Sequence, residues 1–283
     1  MMLRLFAGLL LMGVCTVHAA LPDSIRITRI LTETSSCPLD ENKILYLAKG
    51  FQGTPYGGGT LEAFPFEQLV VRTDSVDCTT FVEYVLALKF TADQISDRIV
   101  REDSLYHLFK EVLTSIRYRG GRIDGYTSRL HYFSEWISDN QHKGYVREVT
   151  KDSPCEIRTV SLNFMTEHAS LYPQLAHDSL AVVQMKALES RWLNYQMPYI
   201  PKSRLGEGSN VLHIKDGDIL TLVTNIRGLD VVHVGFACWM SGKLHLLHAS
   251  SAKKRVLLDP VSLYDYTKNK KAHIGIRVVR VCH

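Results

Sequence analysis

"VVHVGFACWMSGKLHLLHAS", Val231 to Ser250, decides the fold. Two alternating apolar runs flank the polar turn Met240-Ser241-Gly242-Lys243, the pattern of a β-hairpin. With Ser241 and Gly242 in the turn, Trp239 pairs with Leu244 and His233 falls opposite Ser250. His248 then becomes the diagonal, same-face neighbour of His233. His245 has the other parity and points away. Along the first strand, Val231, Gly235 and Ala237 share the face of His233, whereas Val232, Val234, Phe236 and Cys238 face the other side. Small residues beside a histidine leave room for a second group to approach.

Further strand patterns surround the hairpin: "GDILTLV" at 217–223, "KRVLLD" at 254–259 and "IGIRVVRV" at 274–281. Upstream the period is helical. "CPLDENKILYLAKGF" predicts a helix capped near Asp40 and stopped at Gly50. "QGTPYGGGTLEAFPF" (52–66) is a loop, because its glycines and prolines cannot sustain a helix. From Thr91 to about Asn210 the pattern is mostly helical, in "DSLYHLFKEVLTSIRYR", "SRLHYFSEWISDN" and "DSLAVVQMKALESRWLNYQ". "MPYIPKSRLGEGSN" (197–210) reads as a loop. Helices first and antiparallel strands last define an α+β class.

The chain has 283 residues, 46% of them hydrophobic, enough for a substantial core. Its formal charge of +4 is spread along the sequence, which argues against a nucleic-acid partner. Residues 1–19 read as an export signal: Arg4, an apolar run from Leu5 to Val17 too short to span a bilayer, and "VHAA" with cleavage after Ala19. Residues 20–283 are then one exported domain, periplasmic or secreted, without stable membrane insertion. Five cysteines remain after cleavage. The odd number suggests at least one free thiol, and Cys37, Cys155, Cys238 and Cys282 could form up to two bridges or all stay reduced.

The candidate for the free thiol is Cys78 in "RTDSVDCTTFVEYVLAL" (72–88), where Cys78, Phe81, Val82, Val85 and Leu86 make one helical face. A cysteine at a helix start beside an imidazole gains thiolate character, although Asp77 works against ionisation. Cys78 as nucleophile, His233 as base and His248 as the residue orienting His233 form the arrangement of covalent acyl transfer. The first N–H groups of the Cys78 helix can contribute an oxyanion hole, and Tyr56 is a candidate hydroxyl donor to the same oxygen or to substrate.

"GTPYGGG", "VDCTTFVE", "HVGFA" and "HAS" resemble, in that order, the four blocks of the NlpC-type cell-wall cysteine peptidases, a papain-like superfamily. "GTLE", "SRLHYFSEWI", "YIPK" and "GLDVVHVGFA" further resemble its N-acetylmuramoyl-L-alanine amidase-like branch, over nearly the whole mature chain. The resemblance implies a papain-like core, with the Cys78 helix packed on an antiparallel sheet and a helical insertion at about 91–210 walling the cleft. It also implies a peptidoglycan-fragment substrate, attacked at the bond from N-acetylmuramic acid to L-alanine, without cofactor or metal. Two departures stand out: Thr79 and Thr80 replace the usual Ser-Gly pair, and the interval from Cys78 to His233 is long.

Other readings compete. Cleavage after D-glutamyl in the stem peptide is the wider superfamily's activity, and an inactive muropeptide-binding module is the non-enzyme alternative. His233, His248 and Cys78 are zinc-ligand types but lack a close-spaced pair. In a third reading, His248 is the base and Asp259 its orienter. Arg129 and His131 share a predicted helix with Trp136 and could reach substrate. Tyr199 and Lys202 lie in a predicted loop, and Asp230, Thr79, Asp77 and Ser250 flank the motif residues.

Overall fold

The computed structural model describes residues 21–34, 42–96 and 101–282. The expected export signal, Cys37 and the expected cap Asp40 lie outside them. The elements run α1 (Asp23–Thr34), α2 (Lys43–Lys49), α3 (Cys78–Ser96), α4 (Glu102–Arg117), α5 (Phe133–His142), β1 (Val146–Glu148), β2 (Glu156–Val160), α6 (Phe164–Glu167), α7 (Pro173–Ala176), α8 (Ser179–Glu189), β3 (Tyr195–Pro201), β4 (Ile219–Thr224), β5 (Val231–Met240), β6 (Lys243–Ser250), β7 (Arg255–Leu258), α9 (Leu263–Lys268) and β8 (His273–Val281). Among the described residues no helix is long and apolar enough to cross a membrane.

The strands form one antiparallel sheet in the order β2-β3-β8-β4-β5-β6-β7, with β1 also pairing β8. The α+β class follows. Every residue of β4 is buried, Thr221 and Thr224 included, as befits a central strand with neighbours on both edges. α3 packs one sheet face: Phe81 meets Phe236 edge-on at 5.5 Å, within a core that also holds Val82, Val85, Val234 and Cys238. Helices α1, α2 and α4 close around α3, so its burial is wider than the single stripe expected. On the opposite parity, Leu220, Leu222, Ala237, Leu244 and Leu246 form a second cluster with Leu263 of α9.

The hairpin has the expected register. Trp239 pairs with Leu244, and Ser241 and Gly242 take φ of 48° and 75°, the left-handed pair that a tight hairpin turn needs. The β5–β6 ladder ends at Phe236↔Leu247, however, so His233 does not pair with Ser250. On its other edge β5 pairs His233 with Leu222 of β4, next to a bulge. The bulge exchanges the expected sides of its two neighbours: Val231 packs with the α3 core and Val232 with the second cluster.

The segment at about 91–210 departs from the helical expectation. It supplies three strands, β1 to β3, and β3 crosses the stretch read as a loop, whereas β4 falls on the expected strand at 217–223. Its helices and strands share a core of their own around Tyr132, Met165, Leu175, Met185 and Met197. α2 is capped by Asn42, whose side chain accepts the Leu45 N–H at 3.1 Å.

Candidate active site

The α3 N-terminus is built by a reciprocal cap. Asp77 Oδ1 accepts the Thr80 N–H at 2.7 Å, and Thr80 Oγ1 accepts the Asp77 N–H at 2.9 Å. This is a capping-box arrangement with threonine in the place usually held by glutamate. The two threonines thus have separate tasks. Thr80 is buried in the cap, while the Thr79 hydroxyl stands near enough to Cys78 to favour its thiolate form. The backbone N–H of Val234, the residue that follows His233, acts on the thiol in the same direction. With α3 packed on β5, Cys78 thus lies beside the strand carrying the histidine.

His233 Nε2 lies 2.5 Å from His248 Nδ1, with the rings edge-on and centroids 4.8 Å apart. One proton serves that contact. If His233 donates it from Nε2, its Nδ1 is left as a free base, and His248 carries its own proton on Nε2. That Nε2 has no hydrogen-bond partner and lies 3.5 Å from Asp259 Oδ2, an ion-pair distance rather than a hydrogen bond. Asp259 is buried, and its other oxygen accepts the Val261 N–H at 3.1 Å. Gly235 makes the ring contact possible: a Cβ there would stand 2.8 Å from both His248 Cβ and the Leu247 carbonyl oxygen.

Burial first, and then the Asp77 carboxylate, push the Cys78 thiol up to about 12, against the Val234 N–H and the Thr79 hydroxyl. The expected thiolate is thus not the resting state. His233 is held well below the ordinary histidine value by burial, then by His248, Lys270 and His273. His248 is also lowered, by burial, although Asp259 opposes this. The free site thus holds its thiol and its imidazoles in their neutral forms.

Tyr56 is close enough to Cys78 and Asp77 for their charges to add to burial in raising its phenol, and its ring folds over Gly58. The remaining expected residues are engaged elsewhere. Arg129 is buried in ion pairs with Glu62 at 2.5 Å and Glu67 at 3.6 Å. Neither it nor His131 shares the helix of Trp136, because α5 starts only at Phe133. His131 Nε2 contacts the Tyr126 carbonyl at 2.9 Å. Asp230 accounts for the late start: its carboxylate accepts the Ser134 N–H at 2.6 Å, capping α5 from ninety-six residues away. Tyr199 lies in β3 and donates to Glu156, while Ser250 Oγ accepts the Lys253 N–H. Lys202, in a short turn after β3, donates to the Lys270 carbonyl.

Cys78, Cys155, Cys238 and Cys282 are all free thiols, so no bridge joins the described cysteines. Among the described residues no group of three or more His, Cys, Asp or Glu side chains is placed to hold a metal ion. The structure therefore places two imidazoles and a carboxylate in line, with the Cys78 helix start packed against the strand that carries the first of them. Sequence reasoning reached Asp259 only as part of a rival site, and it missed Tyr266, Lys270 and His273. The basic run "KNKKAH" at 268–273 was the available signal.

A protein of Bacteroides fragilis provisionally named a xylanase is 41% identical, with 83% of this chain and 99% of that one covered and a TM-score of 0.77. An N-acetylmuramoyl-L-alanine amidase of Bacteroides uniformis is 40% identical, covering 85% of this chain and 98% of that one at a TM-score of 0.78. A Legionella pneumophila protein, 22% identical over 92% of this chain and 94% of that one, shares the fold at a TM-score of 0.67. No curated protein matches. The sequence model of the AmiA-like, N-acetylmuramoyl-L-alanine amidase-like family matches residues 46–276, and the chain belongs to that family.

Proposed function

We propose that the protein is an exported cysteine amidase that hydrolyses the bond between N-acetylmuramic acid and L-alanine in peptidoglycan fragments. The observation that carries this reading is the His233–His248 contact at 2.5 Å, with Asp259 behind it and Cys78 at the α3 start close to the Val234 N–H that follows His233. Family membership and the Bacteroides uniformis amidase support the substrate class. The leader-like residues 1–19 support export.

His233 takes the thiol proton as sulfur adds to the amide carbonyl, and the N–H groups at the α3 start and the Tyr56 hydroxyl receive the developing oxyanion. His233 then protonates the departing alanyl amine. Water, deprotonated by the same imidazole, releases the lactyl carboxylate from the thioester. His248 fixes the tautomer of His233, and Asp259 stabilises the charge that the pair acquires. The xylanase name of one relative favours no second reading, because glycoside hydrolysis uses two carboxyl groups flanking the scissile bond. Here the carboxylate in line with the histidines stands behind His248.

Mass analysis of products from defined muropeptides tests the proposal. Free N-acetylmuramic acid with an intact stem is the expected result. A stem shortened after D-glutamyl supports endopeptidase action, and no turnover supports a binding module; either result sinks the amidase reading.

Asp259→Asn tests the relay. A base acts only when unprotonated, so the lowered pKa of His233 places the acid limb of kcat/KM below the ordinary histidine value of about 6.5. Asp259 raises His248, so its neutral replacement moves the limb of this coupled pair to still lower pH, while the plateau falls about 10- to 100-fold. A plateau loss with an unmoved limb would make Asp259 merely structural.

A further inference from the structure

Beside the histidine pair, Lys270 and His273 flank one aromatic ring and Lys202 comes close to both. Lys270 Nζ stands 3.2 Å from the centroid of the Tyr266 ring. That ring meets His248 edge-on at 5.6 Å and lies 6.2 Å from His273. Lys202 joins from the turn after β3, with Nζ donating to the Lys270 carbonyl at 3.2 Å. All four side chains are half-buried, so each keeps a surface open to solvent.

The cluster carries no matching negative charge. Among the described residues neither Lys202 nor Lys270 has a carboxylate within ion-pair distance, whereas nearby Lys268 is paired with Asp265 at 2.7 Å. Asp259, which attracts Lys270, is buried and in line behind His248. His273 Nδ1 is enclosed without a hydrogen-bond partner. Burial first, and then both ammonium groups, hold His273 down to about 4, so the positive charge that meets there is carried by the two lysines and an arriving anion is favoured. The shared field also contributes to keeping the neighbouring imidazoles neutral.

We propose that Lys270, Lys202 and His273 form an anion subsite next to the His233–His248 pair, and that it takes a carboxylate of the substrate's peptide stem. This assignment rests on the peptidoglycan-fragment reading. In that chemistry, a D-glutamyl residue linked through its side chain leaves its α-carboxylate free, one residue beyond the alanine whose amide is cut. An ammonium pair recognises such a group as point charges, and the carboxamide counterpart has the same size without the charge.

The probes are N-acetylmuramoyl-L-alanyl-D-glutamate with its γ-carboxyl capped as the methylamide, and the same molecule with its α-carboxylate replaced by a carboxamide, each titrated calorimetrically into the Cys78→Ala protein so that no turnover intervenes. The acid should bind about tenfold more tightly than the amide at low salt, equivalent to about 1.4 kcal/mol, and the advantage should shrink as ionic strength rises. Adding Lys270→Met should cut the ratio to twofold or less, and Lys270→Arg should retain most of it. Thermal melts verify that each variant is folded. Equal binding of acid and amide, or an acid preference that survives both Lys270→Met and Lys202→Met, would overturn the subsite. The amidase proposal is judged separately by the products of the native protein, so either idea can fail alone.

Discussion

Cys78→Ala is expected to lower kcat/KM on a defined muropeptide by about 10⁴-fold or more, the scale seen when the nucleophile of a covalent hydrolase is removed. The argument is local. Asp77 and Thr80, which cap α3, do not use the Cys78 side chain, so the helix start survives the loss of one sulfur. His233 and His248 keep their contact, and the folded protein should bind substrate normally. What disappears is the atom that forms the thioester. The resting thiol, lifted to about 12, adds a second signature. A preformed thiolate–imidazolium pair would alkylate readily in mildly acidic solution. Here, iodoacetamide reaction of the free enzyme should keep accelerating as pH rises through 9 and 10. Turnover within tenfold of native in the alanine variant would end the covalent mechanism, whatever the alkylation profile.

The parts of this site that depend on local pattern were legible in the sequence. Alternation and a Ser-Gly turn set the hairpin register, and the register placed His233 and His248 together. The bulge beside His233 was not legible, because it lies in the ladder with β4, and the pattern of the hairpin says nothing about the register on its other edge. β3 was hidden by Pro198 and Pro201, which lack the N–H a ladder uses; its pairing with β8 is confined to Ile200 and Pro201. The start of α5 depends on Asp230, far along the chain, so no window around Ser134 contains its cap. Arg129 looked like a substrate ligand because buried and exposed arginines are written alike. Only the folded chain brings Glu62 and Glu67 to it. The same limit applies to Lys270 and His273, since parity within one hairpin says nothing about what a neighbouring turn lays against it.

The largest stability effect should come from Glu83, one of the residues in the "VDCTTFVE" block. Its carboxylate meets Arg117 Nε at 2.6 Å with both side chains about 1–2% exposed, and Arg117 also donates to the Val70 carbonyl at 2.7 Å. This pair ties α3 to α4 and to the strand-like approach to the Cys78 helix. Burial pushes the Glu83 carboxyl up, and Arg117 pulls it back. The charges are thus tolerated only together. Glu83→Ala leaves a guanidinium in the core without its counter-ion, and the expected loss is about 3–5 kcal/mol, read from denaturant unfolding. Removing Glu33 from the solvent-exposed Arg29–Glu33 pair should change stability by less than about 0.5 kcal/mol. The double replacement Glu83→Leu with Arg117→Met removes both charges while keeping much of the volume, and should recover most of the loss. If the single and double variants unfold at the same denaturant concentration, the cost lies in packing rather than in the stranded charge. Because the pair sits on the helix that positions the sulfur, the single variant should lose activity together with stability, and the double variant should regain both.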